Sequence, residues 1–190
     1  MKEIKNVGIF STTFGWMGVV SSDAGILFSM LPRVERGDVE KGLKSYLGTN
    51  GIKAGEDASC GEIEDAMKRF FEGEAVDLTR FPLDFSGISP FFVSVYGVVK
   101  GIDRGRVMSY NDVAKAAGSP GGARGVGSAM ARNRFAPFVP CHRVVGKNGD
   151  LVGFGGGNGI EMKERMLFIE GIESRSGSKF RVPREFFASR

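Results

Sequence analysis

Val139-Pro140-Cys141-His142-Arg143-Val144-Val145 is the stretch on which the reading of this chain turns. His142 is the only histidine among 190 residues and Cys141 one of two cysteines, and nothing in the composition requires them to be neighbours. A free thiol of ordinary pKa, about 8.5, is only a few per cent thiolate at neutral pH, so a nucleophilic cysteine needs a group that takes its proton or favours its anion. Histidine is the usual one. Adjacent side chains on a strand point to opposite faces, so either the chain bends here, as Pro140 favours, or a water carries the proton between the two. A Cys–His doublet in a valine-rich run is also what a plain buried strand looks like, so the rest of the chain has to decide.

Composition narrows the classes. A chain of 190 residues, 42% of them apolar, has the material for one large domain or two small ones. The start, MKEIKNVGIF, lacks a signal-peptide pattern and no apolar run approaches the roughly 18 residues that span a bilayer, so an intracellular, cytoplasmic protein with no membrane partner is expected. Two cysteines without secretory features read as reduced thiols. Cys60, Cys141 and His142 are too few for a structural zinc site, and no metal or other cofactor is implied.

Charge is unevenly divided. Residues 1–86 hold 10 Lys/Arg against 14 Asp/Glu, a net −4, whereas residues 87–190 hold 16 against 8, a net +8. From Lys100 to Lys147 nine basic residues face two acidic ones, Asp103 and Asp112. Such a half either meets a polyanion, most simply nucleic acid, or presents a solvated basic face.

Residues 7–13, 16–20 and 25–30 are short runs rich in β-branched and aromatic residues and read as an antiparallel meander. Helical spacing follows over 34–47, and Ser59 with Glu62 forms a capping box ahead of a helix carrying Ile63, Ala66, Met67, Phe70 and Phe71 on one face. Cys60 sits in its first turn and reads as structural. The fold expected is an α/β N-terminal domain over 1–86, a small antiparallel sheet with helices, and a mainly α, winged-helix-like C-terminal domain over 87–190.

In the second half, Ser89-Pro90 is an N-cap followed by proline at the first helical position. Ser109 and Asp112 cap a short helix that Gly118 ends, and after Ser119-Pro120-Gly121-Gly122 a second helix runs from Ala123 to Asn133, the shape of a helix-turn-helix. That second helix carries Gly125 and Gly127 among small residues. Its face lets a backbone come close, either to a packed neighbour or to a narrow groove; Arg124, Arg132 and Arg134 favour the groove. Asn148-Gly149 between Val144-Val145 and Leu151-Val152 signals a hairpin. The glycine loop at 153–159 fits no nucleotide-binding fingerprint. Glu170 stands in the last turn of a helix over 160–170, where the helix dipole disfavours a carboxylate, so a specific partner is expected. Phe186 and Phe187 should dock the tail on the body.

Together PCHRVV at 140–145, GRVMSY at 105–110, ARGVGSAMARN at 123–133, GFGGG at 153–157 and Glu170-Gly171 closely resemble the O6-alkylguanine-DNA alkyltransferases, in order over about 89–171. The resemblance implies a monomeric protein that binds duplex DNA in the minor groove and flips out the damaged base. It then moves the alkyl group of O6-alkylguanine, or O4-alkylthymine, irreversibly onto Cys141. It also implies that His142 acts as a water-bridged base, that Glu170 orients it, that Asn133 braces the turn and that Tyr110 protonates the leaving guanine. Val144, Phe154, Gly155 and Gly156 would surround the base. Arg124 would fill the vacated space, with Gly125, Ser128, Ala129, Arg132 and Arg134 on the DNA face.

Phe154 stands where a tyrosine is common, Gly155 where a serine is frequent, Asp103 for a proline and Tyr96 for a tryptophan. Three rivals have distinct marks. A non-enzymatic alkyltransferase-like lesion binder replaces the cysteine, a cysteine hydrolase needs a Cys/His pair in direct contact, and a helix-turn-helix regulator needs no Cys, His and Glu set.

Overall fold

The structure is a computed structural model and describes residues 4–49, 60–154, 159–173 and 180–188. It divides into two compact units, Met1–Ser86 with Arg134–Phe138, and Gly87–Asn133 with Val139–Arg190. Among the described residues no helix is long and apolar enough to cross a membrane.

In the first unit, β1 (Asn6–Thr12), β2 (Gly15–Ser22) and β3 (Gly25–Arg33) form an antiparallel meander in sequence order, with Val7 opposite Val20 and Val20 opposite Phe28. Helix α1 (Arg36–Thr49) lies on the sheet through Val39, Leu43 and Leu47, which join Val7, Val20 and Leu27 in one core. The approach is close at Gly18, where a Cβ would stand 2.7 Å from Val39. Helix α2 (Gly61–Phe71) buries Ala66, Met67, Phe70 and Phe71 as its periodicity requires. Cys60 is its N-cap residue, and Ser59, the expected cap, lies outside the described residues.

Residues 134–138, read from sequence as part of the C-terminal domain, belong to this first unit. The Ser29 amide donates to the Arg134 carbonyl (2.8 Å) and the Ser29 hydroxyl to the Ala136 carbonyl (2.7 Å), satisfying polar groups on the edge of β3. Phe135 and Phe138 then meet Phe85 and Phe81 edge to face.

In the second unit, α3 (Pro90–Lys100) starts with the Ser89 hydroxyl accepting from the Phe92 amide. Strand β4 (Met108–Ser109) leads directly into α4 (Tyr110–Ala116), whose cap is Ser109, accepting from the Asp112 amide (3.2 Å) and donating to its carboxylate (2.6 Å). Gly118, at φ +74°, turns the chain left-handed towards α5 (Ala123–Ala131), completing the helix-turn-helix.

The two internal glycines of α5 do different things. A Cβ on Gly125 would lie 2.9 Å from the Phe91 ring of α3, so this glycine serves internal packing; one on Gly127 would meet nothing within 4 Å. The Tyr96 hydroxyl donates to the Ala129 carbonyl (3.0 Å), tying α3 to α5.

The Asn148-Gly149 turn forms, with the Gly149 amide donating to the Gly146 carbonyl (2.9 Å) and Gly149 at φ +85°. The hairpin ladder expected around it does not. Strand β5 (Val144–Val145) instead pairs in parallel with β4, Met108 opposite Val144 and Ser109 opposite Val145. Both valines are fully buried, the environment of a parallel pair rather than of an edge hairpin. Helix α6 (Gly159–Ile169) follows, and Gly171 at φ +84° ends it.

Candidate functional site

The site begins with a bend. Residues Cys141–Arg143 form a single tight helical turn rather than a strand, with the Cys141 amide donating to Val139 (2.8 Å) and the Arg143 amide to Pro140 (2.9 Å). Pro140 cannot donate an amide and ends the extended run. Asn133, just beyond α5, donates through Nδ2 to the Val139 carbonyl (2.8 Å), bracing the turn two residues before the thiol. Cys141 is 7% exposed and His142 1%.

Beneath the turn lies a charged layer. Nε2 of His142 is 3.1 Å from Oε1 of Glu170, and Arg143 donates to both carboxylate oxygens, Nε to Oε2 (2.9 Å) and Nη2 to Oε1 (2.6 Å), while its Nη1 donates to the Ile102 carbonyl (2.5 Å). Burial alone would raise the Glu170 pKa, but His142 and Arg143 together outweigh it and hold the group at about 2. Burial pushes the His142 imidazole down, against the pull of Glu170 and with the help of Arg143 and Lys163, so the ring is neutral at pH 7. His142 shares a hydrogen bond with the Glu170 carboxylate and Arg143 adds a permanent charge beside it. With Nε2 donating to Glu170, Nδ1 is the basic nitrogen. The partner expected for Glu170 is therefore present twice over.

Lys163 of α6 is fully buried, 0% exposed. Its Nζ donates to the Val144 carbonyl (2.6 Å) and stands 5.7 Å from the centre of the Phe154 ring. Burial lowers its pKa to about 8, opposed by the pull of Cys141. For Cys141 the dominant influence is again burial, which pushes the thiol up; an Asn133 hydrogen bond, the Lys163 charge and the backbone amides of Cys141 and His142 oppose it. Lys163 is the cation whose charge favours the Cys141 thiolate, and the helical turn directs Nε2 of His142 to Glu170.

Tyr110, the first residue of α4, is raised in pKa by burial and by Cys141, and its hydroxyl donates to the Val152 carbonyl at 3.4 Å. It lines a cavity of about 600 Å³ with Ala123, Arg124, Gly127, Ala131, Val152, Gly153 and Phe154. The wall is apolar apart from Tyr110 and Arg124, which suits a flat heteroaromatic ligand with few polar anchors. Arg124 and Ser128 of α5 and Arg132 at its C-cap are exposed.

Other predicted residues lie elsewhere. Gly125 faces Phe91, and Ala129 is fully buried with its carbonyl taken by Tyr96. Arg134 belongs to the first unit, donating to the carbonyls of Asp84 (3.2 Å) and Ser86 (2.8 Å). Gly155 and Gly156 lie outside the described residues. Sequence reasoning gave no role to Arg143 and Lys163. For Arg143 the signal was present, a cation one residue past the doublet with an unpartnered glutamate downstream. For Lys163 there was none, since helical lysines are almost always solvated. Among the described residues no group of three His, Cys, Asp or Glu could hold a metal ion.

Residues 90–172 match the family model described as 6-O-methylguanine DNA methyltransferase, DNA binding domain. The methylated-DNA–protein-cysteine methyltransferase of Shigella flexneri is 37% identical over 111 residues, 58% of this chain and 63% of that protein, so the match spans less than two thirds of that relative. The protein of the same name from Thermococcus kodakarensis is 36% identical over 166 residues, 83% of this chain and 90% of its own. Among solved structures, Mycobacterium tuberculosis OGT in complex with DNA aligns with a TM-score of 0.70 at 27% identity, over 87% of this chain and 92% of that one. With a relative more than 30% identical matched over nearly its whole length, this chain belongs to the methylated-DNA–protein-cysteine methyltransferase family.

Proposed function

We propose that this protein repairs duplex DNA by moving the alkyl group of O6-alkylguanine, and of O4-alkylthymine, onto Cys141 in a single irreversible turnover. The observation that carries the reading is a cysteine under the electrostatic influence of the buried Lys163 and in turn acting on the half-buried Tyr110, which lines an apolar cavity together with Arg124 and Gly127 of the helix-turn-helix. A stacked base cannot present its O6 substituent to a protein nucleophile, so the nucleotide is extruded into the cavity, at a cost of a few kcal/mol. Arg124, exposed at the rim, fills the space left in the duplex, and Gly127 and Ser128 let the helix approach the minor groove.

The thiol proton passes to Nδ1 of His142 through a bridging water, while Glu170 and Arg143 hold the ring by its other nitrogen. The sulfur then attacks the alkyl carbon, the S–C bond forms as the C–O6 bond breaks, and the leaving guanine takes a proton at N3 from Tyr110, whose raised pKa keeps that proton in place until the ring becomes basic. The Val144 carbonyl has two lone pairs, so it accepts from the guanine amine while Lys163 keeps the other. The product is a thioether that no group at the site hydrolyses. The protein acts as a monomer in the cytoplasm, where both cysteines stay reduced.

The test is intact-protein mass spectrometry after incubation with duplex DNA containing O6-methylguanine. One methyl group should appear on the peptide carrying Cys141; transfer that survives in Cys141→Ala defeats the assignment.

A further inference from the structure

The family match ends at residue 172, yet a later segment touches both loops that frame the cavity. We infer that Phe180–Ala188 is a positioning strap that fixes the spacing between Tyr110 and the Val152–Phe154 wall, and so the fit of the extruded base; this rests on the functional reading above. At one end the Val182 amide donates to the Gly149 carbonyl (3.0 Å), and Arg181 pairs with Asp150 through Nη2 (2.9 Å) and Nε (3.0 Å). The fit is tight: a Cβ on Gly149 would stand 2.2 Å from the Val182 carbonyl oxygen.

At the other end the Val107 amide donates to Phe186 (2.9 Å), the Ala188 amide to Val107 (2.9 Å), and Nη1 of Arg106 to the Glu185 carbonyl (2.6 Å). Between these ends Val182 enters the core of Val107, Val145, Leu151, Leu167 and Ile172, with Phe180, Phe186 and Phe187 packed over it. Each tie lies close in sequence to a cavity wall. Val107 precedes Tyr110 through the two residues of β4, and Asp150 precedes Val152 by two; the Tyr110 hydroxyl joins the two walls. Two short loops held at both roots by one segment keep a fixed separation, and sub-ångström misplacement at a reacting centre is costly to rate.

The full-length protein and its double variant R181E/F187A are compared by amide hydrogen exchange and by reaction with the free base O6-benzylguanine, with iodoacetamide as a probe of the thiol alone. The strap predicts faster exchange across residues 107–110 and 151–154, a rise of about tenfold in the base concentration giving half-maximal rate, and an unchanged iodoacetamide rate. The charge swap D150R/R181E should bring exchange at 151–154 back towards wild type, since Arg181 and Asp150 are both solvent-accessible and exchangeable in sign. Unchanged exchange at both loops overturns the strap, as does a lowered Tm accompanied by wild-type base kinetics below that Tm. Should the double variant fail to fold, R181E alone, on a side chain 61% exposed, carries the same two readouts. Wild-type protein that ignores the free base and methylated DNA alike overturns the functional reading, while the exchange data still decide the strap.

Discussion

Arg143 and Glu170 form a two-pronged ion pair, Nε to Oε2 at 2.9 Å and Nη2 to Oε1 at 2.6 Å, with the carboxylate side chain completely buried. The pair joins the turn that carries the thiol to the end of α6, and His142 shares one of its oxygens. Removing one partner of a buried pair strands the other charge, which costs far more than the pair itself contributes. Arg143→Ala should therefore destabilise the protein by about 3–5 kcal/mol, read as a fall in the midpoint of urea unfolding. Arg143→Lys, which restores charge without the fork, should recover only part of that loss.

The same carboxylate sets an acid limit. Glu170 has a folded pKa of about 2 against an ordinary value of 4.5, so its contribution to stability is complete above pH 4.5 and drains away as pH falls towards 2. Glu170→Gln should flatten the pH dependence of the unfolding free energy within that window and lower stability above it. A wild-type curve already flat across the window contradicts the burial and pairing described for this residue.

Lys163 offers a kinetic test. The thiol pKa is raised by burial, so alkylation by iodoacetamide should accelerate with pH from neutrality and level off above about 8, where Lys163 loses its proton and its support for the thiolate. Lys163→Met keeps the length of the side chain and removes the charge. It should slow thiol alkylation at pH 7 by about tenfold and abolish the levelling. Relief of a buried, desolvated cation opposes the loss of the hydrogen bond to the Val144 carbonyl, so the change in stability should be small.

Two glycines in one helix should respond with opposite signs. Gly125→Ala places a Cβ 2.9 Å from the Phe91 ring, an overpacking that costs about 1–3 kcal/mol unless the ring shifts. Gly127→Ala has open space and should stabilise α5 by up to about 1 kcal/mol through helix propensity. It also narrows the cavity that Gly127 lines, so thermal stability should rise while reaction with duplex DNA slows.

Arg124 is exposed at the cavity rim and makes no contribution to the charged layer under the thiol. Arg124→Ala should slow repair of duplex DNA far more than reaction with a free alkylated base, because only the duplex has a gap to fill. Equal losses on the two substrates would remove the gap-filling role of Arg124.

Much of this was legible without coordinates because it is local. Capping by Ser89 and Ser109, the left-handed stop at Gly118 and the apolar face of α2 each depend on groups within about four residues, so spacing alone reveals them. The hairpin at Asn148-Gly149 failed as a reading because turn chemistry specifies only the turn. Which partner β5 pairs with depends on burial of Val144 and Val145 against β4, 36 positions earlier in the register. Residues 134–138 changed unit for the same reason: their free backbone groups were satisfied by the edge of β3, and no residue nearby in sequence announces that.

What the sequence determined by itself was the chemistry available: a thiol beside the one imidazole, a basic half, two helices separated by a glycine turn, and a glutamate at a helix end in need of a partner. Tertiary structure decided how that chemistry is wired. Arg143 meets Glu170 across 27 positions and Lys163 meets Val144 across 19, and in each case burial gives the contact its strength. Charge in a low-dielectric interior is governed by whichever group lies within a few ångströms, and only the folded chain settles which group that is.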